Sequence, residues 1–289
     1  ALQGNTTGTG NVAVGDYALD ANTTANYNTA MGYQALTTST TATGNVALGF
    51  QAMQDSTTAA NCVAVGYAAL TNTTTGGYNS AVGQNCLATN TTGAYNTAMG
   101  SYSQWKTTTG QFNSSFGHAS LQENTEGVIN TAVGVWAMRQ NTTGSRNTAF
   151  GYEGLYSNST GEKNSSLGAD AGFSNTTGSY NTYLGYFSGY NNSTGSRNIF
   201  LGYEAGYNIK GNNNTAIGNQ ALYYSTTDKT GANNTGLGYR AGFVIEGGDQ
   251  NTFVGYQSGQ AMTTGNNNVI LGGYDGNSGG LNISTLDNN

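Results

Sequence analysis

Glycine recurs in this chain at Gly15, Gly32, Gly49, Gly66, Gly83, Gly100, Gly117, Gly134, Gly151, Gly168, Gly185 and Gly202, each 17 residues after the last. The series continues at Gly218, Gly238, Gly255 and Gly272, after steps of 16, 20, 17 and 17. Around each glycine the same phrase returns, as in "NTAMGYQAL" from Asn28 and "NTAFGYEGL" from Asn147. Sixteen copies of one short unit rule out the one or two globular domains that 289 residues would otherwise suggest. A chain built this way stacks its copies, each covering the apolar face of the next.

Because the copies align with one another, columns can be read within one sequence. The residue before the glycine is Val, Met, Leu, Ile or Phe in every copy, from Val14 to Leu271. Two before it stands mostly Ala, and three before it mostly Thr, Val or Ser, good strand formers. Four before it stands Asn, replaced once by Cys62. "N-T-A-V-G" therefore predicts a short strand closed by glycine. A 17-residue unit is too short for a strand, a helix and two loops. The expected fold is all-β: a parallel β-solenoid or β-roll of sixteen coils, stacked at strand spacing into a rod roughly 75 Å long. Residues 1–10 read as a partial repeat and 11–276 as the array, with irregular spacing at 203–238. Residues 277–289 read as a tail leading to a further segment. The surplus residues before Gly238 are expected to bulge from a turn between Thr226 and Ala232, with Gly218 still in file.

Two columns locate the core. Four residues after the glycine, ten copies carry a bulky residue, such as Leu19, Leu36, Met53 or the exceptional Gln104. Six carry glycine instead: Gly172, Gly189, Gly206, Gly242, Gly259 and Gly276. The usual alanine two before the repeat glycine becomes large only at Tyr183, Phe200, Phe253 and Ile270, all in copies of that second kind. Volume lost in one column returns in the other, as close packing demands, so the two columns should touch inside the coil. Side chains alternate along a strand, so the Val/Met/Leu column should then point away from its own coil. Sixteen apolar side chains in a row mark an interface, and a homotrimer with these stripes on its axis is the expected assembly. The alternative is a single-chain solenoid whose kinked strand turns that column inward. "GYQAL" reads as a corner and a short second strand. The asparagines read as a hydrogen-bonded ladder, and "NTTG" (Asn90–Gly93, Asn141–Gly144) as a polar turn.

Little in the chain suggests chemistry. With a net charge of −6 and no basic cluster, there is no electrostatic footprint for nucleic acid. No apolar run approaches the ~18 residues of a membrane span, and membrane insertion is not expected. The only histidine, His118, falls in a variable surface column. Cys62 and Cys86 occupy different columns one coil apart and should be free thiols. No metal-binding spacing or Ser/His/Asp set stands out, and Asp16, Asp55, Glu153, Asp170, Glu204 and Asp249 form no recurrent pair. Catalytic, cofactor and metal sites are therefore all expected to be absent, and the chain is not expected to be an enzyme. A solenoid lyase or glycosidase would need a carboxylate cluster in a groove. Tyrosines just after the repeat glycine (Tyr33, Tyr67, Tyr152, Tyr186, Tyr203, Tyr239, Tyr256) suit corner packing or, alternatively, an aromatic surface for glycans.

The units "NTAMGYQAL" and "NTTG" closely resemble the repeats of phage tail-fibre proteins, which usually precede an intramolecular chaperone of the endosialidase type. "GNNNVILGGYDGNSGGLNIST" resembles the segment that closes such arrays. More distantly, "NTAMG" and "NVALG" are similar to the β-roll units of trimeric autotransporter heads. The resemblance covers essentially the whole chain. It implies a homotrimeric fibre shaft on a virion, serving host attachment, with other fibre or virion proteins and a host surface glycan or receptor as partners. The alternative it leaves is a bacterial cell-surface trimeric adhesin or extracellular filament. No stretch corresponds to the chaperone, so self-cleavage is not carried over. Ala1-Leu2 falls in register with the repeat, and a piece of a longer fibre is expected.

Overall fold

The structure is a computed structural model that describes residues 1–224 and 230–276. Among them the regular structure is one three-residue strand per repeat, sixteen in all, with no helix. Strands β1 (Val12–Val14) to β8 (Thr131–Val133) belong to one compact unit, Ala1–Arg146. Strands β9 (Thr148–Phe150) to β16 (Val269–Leu271) belong to a second, Asn147–Asn289. Within each unit every strand pairs in parallel with the next, and the register follows the repeat. Ala30 lies opposite Ala47 and Met31 opposite Leu48 in the first unit, and Tyr183 opposite Phe200 in the second. This is the parallel β-solenoid that the period predicts.

Glycine is required in the repeated position by its neighbour. A Cβ on Gly66 would lie 2.6 Å from the carbonyl oxygen of Gly83, and one on Gly185 would lie 2.6 Å from that of Gly202. Their φ values of 133° and 126° also lie where L side chains are strained. The file survives both spacing faults. Ile199 faces Thr215 and Thr215 faces Thr235, so neither the 16-residue nor the 20-residue step disturbs the strands. The missing residue is lost at a corner: only Lys210 separates Ile209 from Gly211, where Ser193 and Thr194 separate Asn192 from Gly195. The surplus residues fall between Tyr224 and Gly231. The bulge expected near Thr226–Ala232 thus lies largely outside the described residues, but Gly218 holds its place against Gly238.

The second strand expected in "GYQAL" is absent. The residues two and four after the glycine are left-handed instead, as at Gln34 (φ 56°) and Leu36 (φ 52°). The change of hand sends the N–H groups of Gln34 and Leu36 to opposite sides of the stack, while that of Ala35 stays within its coil, on Gly32 O. Gln34 N–H donates to Asp16 O of the preceding coil at 3.0 Å, and Leu36 N–H donates to Ala52 O of the following coil at 3.0 Å. It also explains why adjacent Ala35 and Leu36 are both buried, which a strand would not allow.

The core of each coil is thin and filled as the two columns predict. A Cβ on Gly206 would lie 2.5 Å from the Phe200 ring, and one on Gly242 would lie 2.6 Å from that of Phe253. Leu222 sits close to Gly236, which replaces the usual alanine. The exception Gln104 has its own counterpart: its buried amide donates to Ser115 Oγ at 2.9 Å, and Ser115 also stands where alanine is usual.

Candidate interaction surfaces

From β2 onward each strand buries its middle residue and turns the other two outward, as Thr29 and Met31 flank buried Ala30. The outward residues form two columns on one sheet face. No member of the Val/Met/Leu column is buried, and Val14, Met31, Phe116, Phe150, Leu167 and Leu271 are exposed. The kinked alternative, with this column turned into its own coil, is thereby excluded. Over β9, β10 (Ser165–Leu167) and β11 (Thr182–Leu184) the face dips into an apolar hollow of about 210 Å³ lined by Phe150, Leu167 and Leu184.

The asparagine ladder is present, and it bonds mainly to backbone. Asn28 Oδ1 accepts from the N–H of Asn45 at 2.9 Å, while Asn28 Nδ2 donates to Ala42 O at 2.9 Å. The pattern recurs at Asn96, Asn164 and Asn251. Cys62 interrupts it, its thiol lying 3.6 Å from Gly76 O. A second buried column was hidden in the "NTTG" turns: Asn90, Asn124, Asn141, Asn158, Asn175 and Asn192 are fully buried. Asn141 Nδ2 donates to Asn124 Oδ1 at 2.7 Å and to Gly144 O at 3.0 Å. All of these but Asn124 are the acceptors of glycosylation-like triplets, and their burial withholds them from a transferase in the folded chain.

Aromatic side chains form ladders along the stack. Tyr33, Phe50 and Tyr67, just after the repeat glycine, stack at 5.4 and 5.2 Å. Two further ladders also recur once per repeat in the sequence, at steps of 17, 16 or 20 residues. Tyr78, Tyr95 and Phe112 stack at 5.0 and 5.1 Å. Tyr156, Phe173, Tyr190, Tyr207, Tyr223 and Phe243 stack at 5.0 to 5.3 Å. Within a ladder each ring's faces meet its neighbours, so only edges are left for a ligand, which weakens a glycan-stacking role for these columns.

Titratable groups are sparse. Cys62 and Cys86 are free and buried, as expected. Burial pushes the Cys86 thiol up to about 12 and raises that of Cys62, against weaker opposing hydrogen bonds from Asn79 and Tyr78 N–H groups. Both are held as unreactive thiols. His118 is exposed. One carboxylate pair does form: Asp170 hydrogen-bonds Glu153, one coil away in the same column, and desolvation together with that neighbour raises Asp170 to about 6. Among the described residues no three His, Cys, Asp or Glu side chains gather as metal ligands, and no helix is long and apolar enough to cross a membrane. No protein-family model matches the chain, and no curated protein sequence matches it.

Proposed function

We propose, from the geometry and the sequence resemblance, that the chain is a structural fibre shaft of a phage tail fibre or appendage, assembled as a homotrimer for host attachment. The observation that carries the reading is the outward apolar column on each unit's strand face. Burying one such side chain contributes ~1.5–3 kcal/mol. A column of them repeated along the chain exceeds the ~4–15 kcal/mol that association costs. A two-fold contact would cover the stripe of two chains with each other. Three stripes meeting on one axis cover all of them and brace thin coils against bending, as a spacer requires. On this reading the partners are two further copies of the chain, other virion proteins, and a receptor on the host; the location is the virion.

Light scattering tests the assembly. The expected mass is three times that of one chain. Val133→Asp, in the middle of the outward column, should leave a single folded chain, while Thr142→Asp at a turn should still trimerise. A single-chain mass for the wild type would overturn the trimer and remove the main support for the shaft.

A further inference from the structure

The coils of Gly100, Gly117 and Gly134 place a small residue between two rings. Two residues after these glycines stand Tyr102, Ala119 and Trp136, in a variable column that carries Gln at Gln34, Gln51, Gln220 and Gln257. The small residue between two rings opens a slot. Ala119, 2% exposed, lies within a cavity of about 300 Å³ that is also lined by Tyr102, His118, Gln122, Trp136 and Arg139. That volume is at the lower end for a small-molecule site. Since successive coils are one strand spacing apart, residues two coils apart are separated by roughly 10 Å.

The lining is held in place from behind. Ala119 N–H donates to Ser101 O at 2.9 Å and Trp136 N–H to His118 O at 3.0 Å. Tyr102 is braced edge-on by Trp105 and His118, at 5.7 and 6.1 Å. Arg139 Nε donates to Gln122 Oε1 at 2.8 Å, which orients the guanidinium. No carboxylate lines the cavity, and Glu123 nearby is paired with Lys106, which lies over the Trp105 ring. In a chain with 14 acidic and 8 basic residues, this slot has a cationic lining. Both tryptophans and the only histidine also fall in or beside it.

We propose that the slot binds one pyranose unit of an acidic polysaccharide, a uronic acid. Tyr102 and Trp136 flank the sugar ring, and Arg139 meets its carboxylate. A pyranose presents apolar C–H faces and a polar rim, which suits aromatic walls with an amide and a guanidinium beside them. Arginine pairs with carboxylate through two parallel N–H bonds, which selects the acid over its neutral counterpart. The slot is complete within one chain and requires no trimer, so the inference goes beyond the shaft reading and survives or fails separately from it.

The test titrates the chain with oligogalacturonate and with the same oligomer after reduction of its carboxyl groups, followed by calorimetry and tryptophan fluorescence. The wild type should bind the acid and quench, and should bind the neutral oligomer at least about tenfold more weakly. Ala119→Gln introduces the residue that stands in that column at Gln51 and Gln220, should leave the melting temperature unchanged, and should abolish binding. Arg139→Gln should weaken the acid about tenfold and leave the neutral oligomer's affinity unaltered. The proposal is overturned if the wild type binds neither oligomer at millimolar concentration. It is equally overturned if both bind alike, or if Ala119→Gln binds as the wild type does.

Discussion

The two units fill the same thin coil differently. In the first, Leu or Met side chains such as Leu36 and Met53 occupy the interior from the corner, and the strand contributes only alanine or serine. In the second, the coils of Leu155 and Leu222 keep that arrangement, but elsewhere the strand supplies rings at Tyr183, Phe200 and Phe253, and the corner retreats to Gly172, Gly189, Gly206, Gly242 and Gly259. The second buried column diverges as well. It holds Ser39, Ser56, Thr73 and Thr107 among its asparagines in the first unit, but passes to Ile209, Ile245 and Met262 in the second. The lesson is that the backbone path is set by hydrogen bonds and glycine, while the core tolerates any filling of the right volume. Each ring needs space in two consecutive coils: Phe200 fits only because both Gly189 and Gly206 lack side chains.

The largest effect expected from this difference is at the rings. Phe200→Ala should cost ~3–5 kcal/mol, as for other buried aromatics. Gly206→Leu alone should also destabilise, because its side chain meets the Phe200 ring. Combined, the two should recover much of the loss by recreating the first unit's arrangement, since Leu36 already adopts a similar left-handed backbone. Additive losses in denaturant titrations would show that the two columns do not exchange volume.

What the units share should respond equally. Gly66→Ala and Gly185→Ala introduce a Cβ at the same 2.6 Å from the next carbonyl, and each should cost about 3 kcal/mol through overpacking and backbone strain. A much smaller loss in one unit, measured by calorimetry, would mean that its coils can separate locally. The asparagine ladder comes next. Asn113→Ala removes the acceptor of Asn130 N–H and the donor to Gly127 O, and should cost ~1–3 kcal/mol. Cys62→Asn should gain ~0.5–1.5 kcal/mol by restoring the missing rung.

The smallest effect is confined to the second unit. Asp170 is raised to about 6 when folded, from an ordinary 3.8, so the folded chain holds the proton more tightly. Its contribution is fully present below the ordinary value and fades as pH rises through about 6. Melting temperature should therefore decline slightly between pH 5 and pH 7, and Asp170→Asn should flatten that part of the profile. Solvent screening keeps the change small. An unchanged profile in the variant would place the pH dependence elsewhere.

Most of the fold was legible because one sequence contained its own alignment. The strand, the glycine file, the first asparagine column and the exchange of volume between Leu36-type and Phe200-type positions all follow from period and residue size. The corner did not, because left-handed Leu36 and Gln34 have no side-chain signature for that conformation. The second asparagine column looked like an ordinary turn, since "NTTG" has the composition of one. At the surface, Glu153 with Asp170, the Tyr156 ladder, and Tyr102 with Trp136 about Ala119 become neighbours only once the period is read as a contact map. Residues 17 apart touch, and residues 34 apart face each other across one side chain.

The pairwise fit between neighbouring coils also bears on how such a gene can lengthen or shorten. Recombination that adds or removes whole repeats keeps the reading register of the stack, but it does not leave the order of repeats free. The coil carrying Phe200 cannot follow one carrying Leu36, because both side chains would claim the same space. Viable duplications must therefore copy blocks whose two ends match, so that the lineage of the array is written in runs of compatible coils rather than in single units.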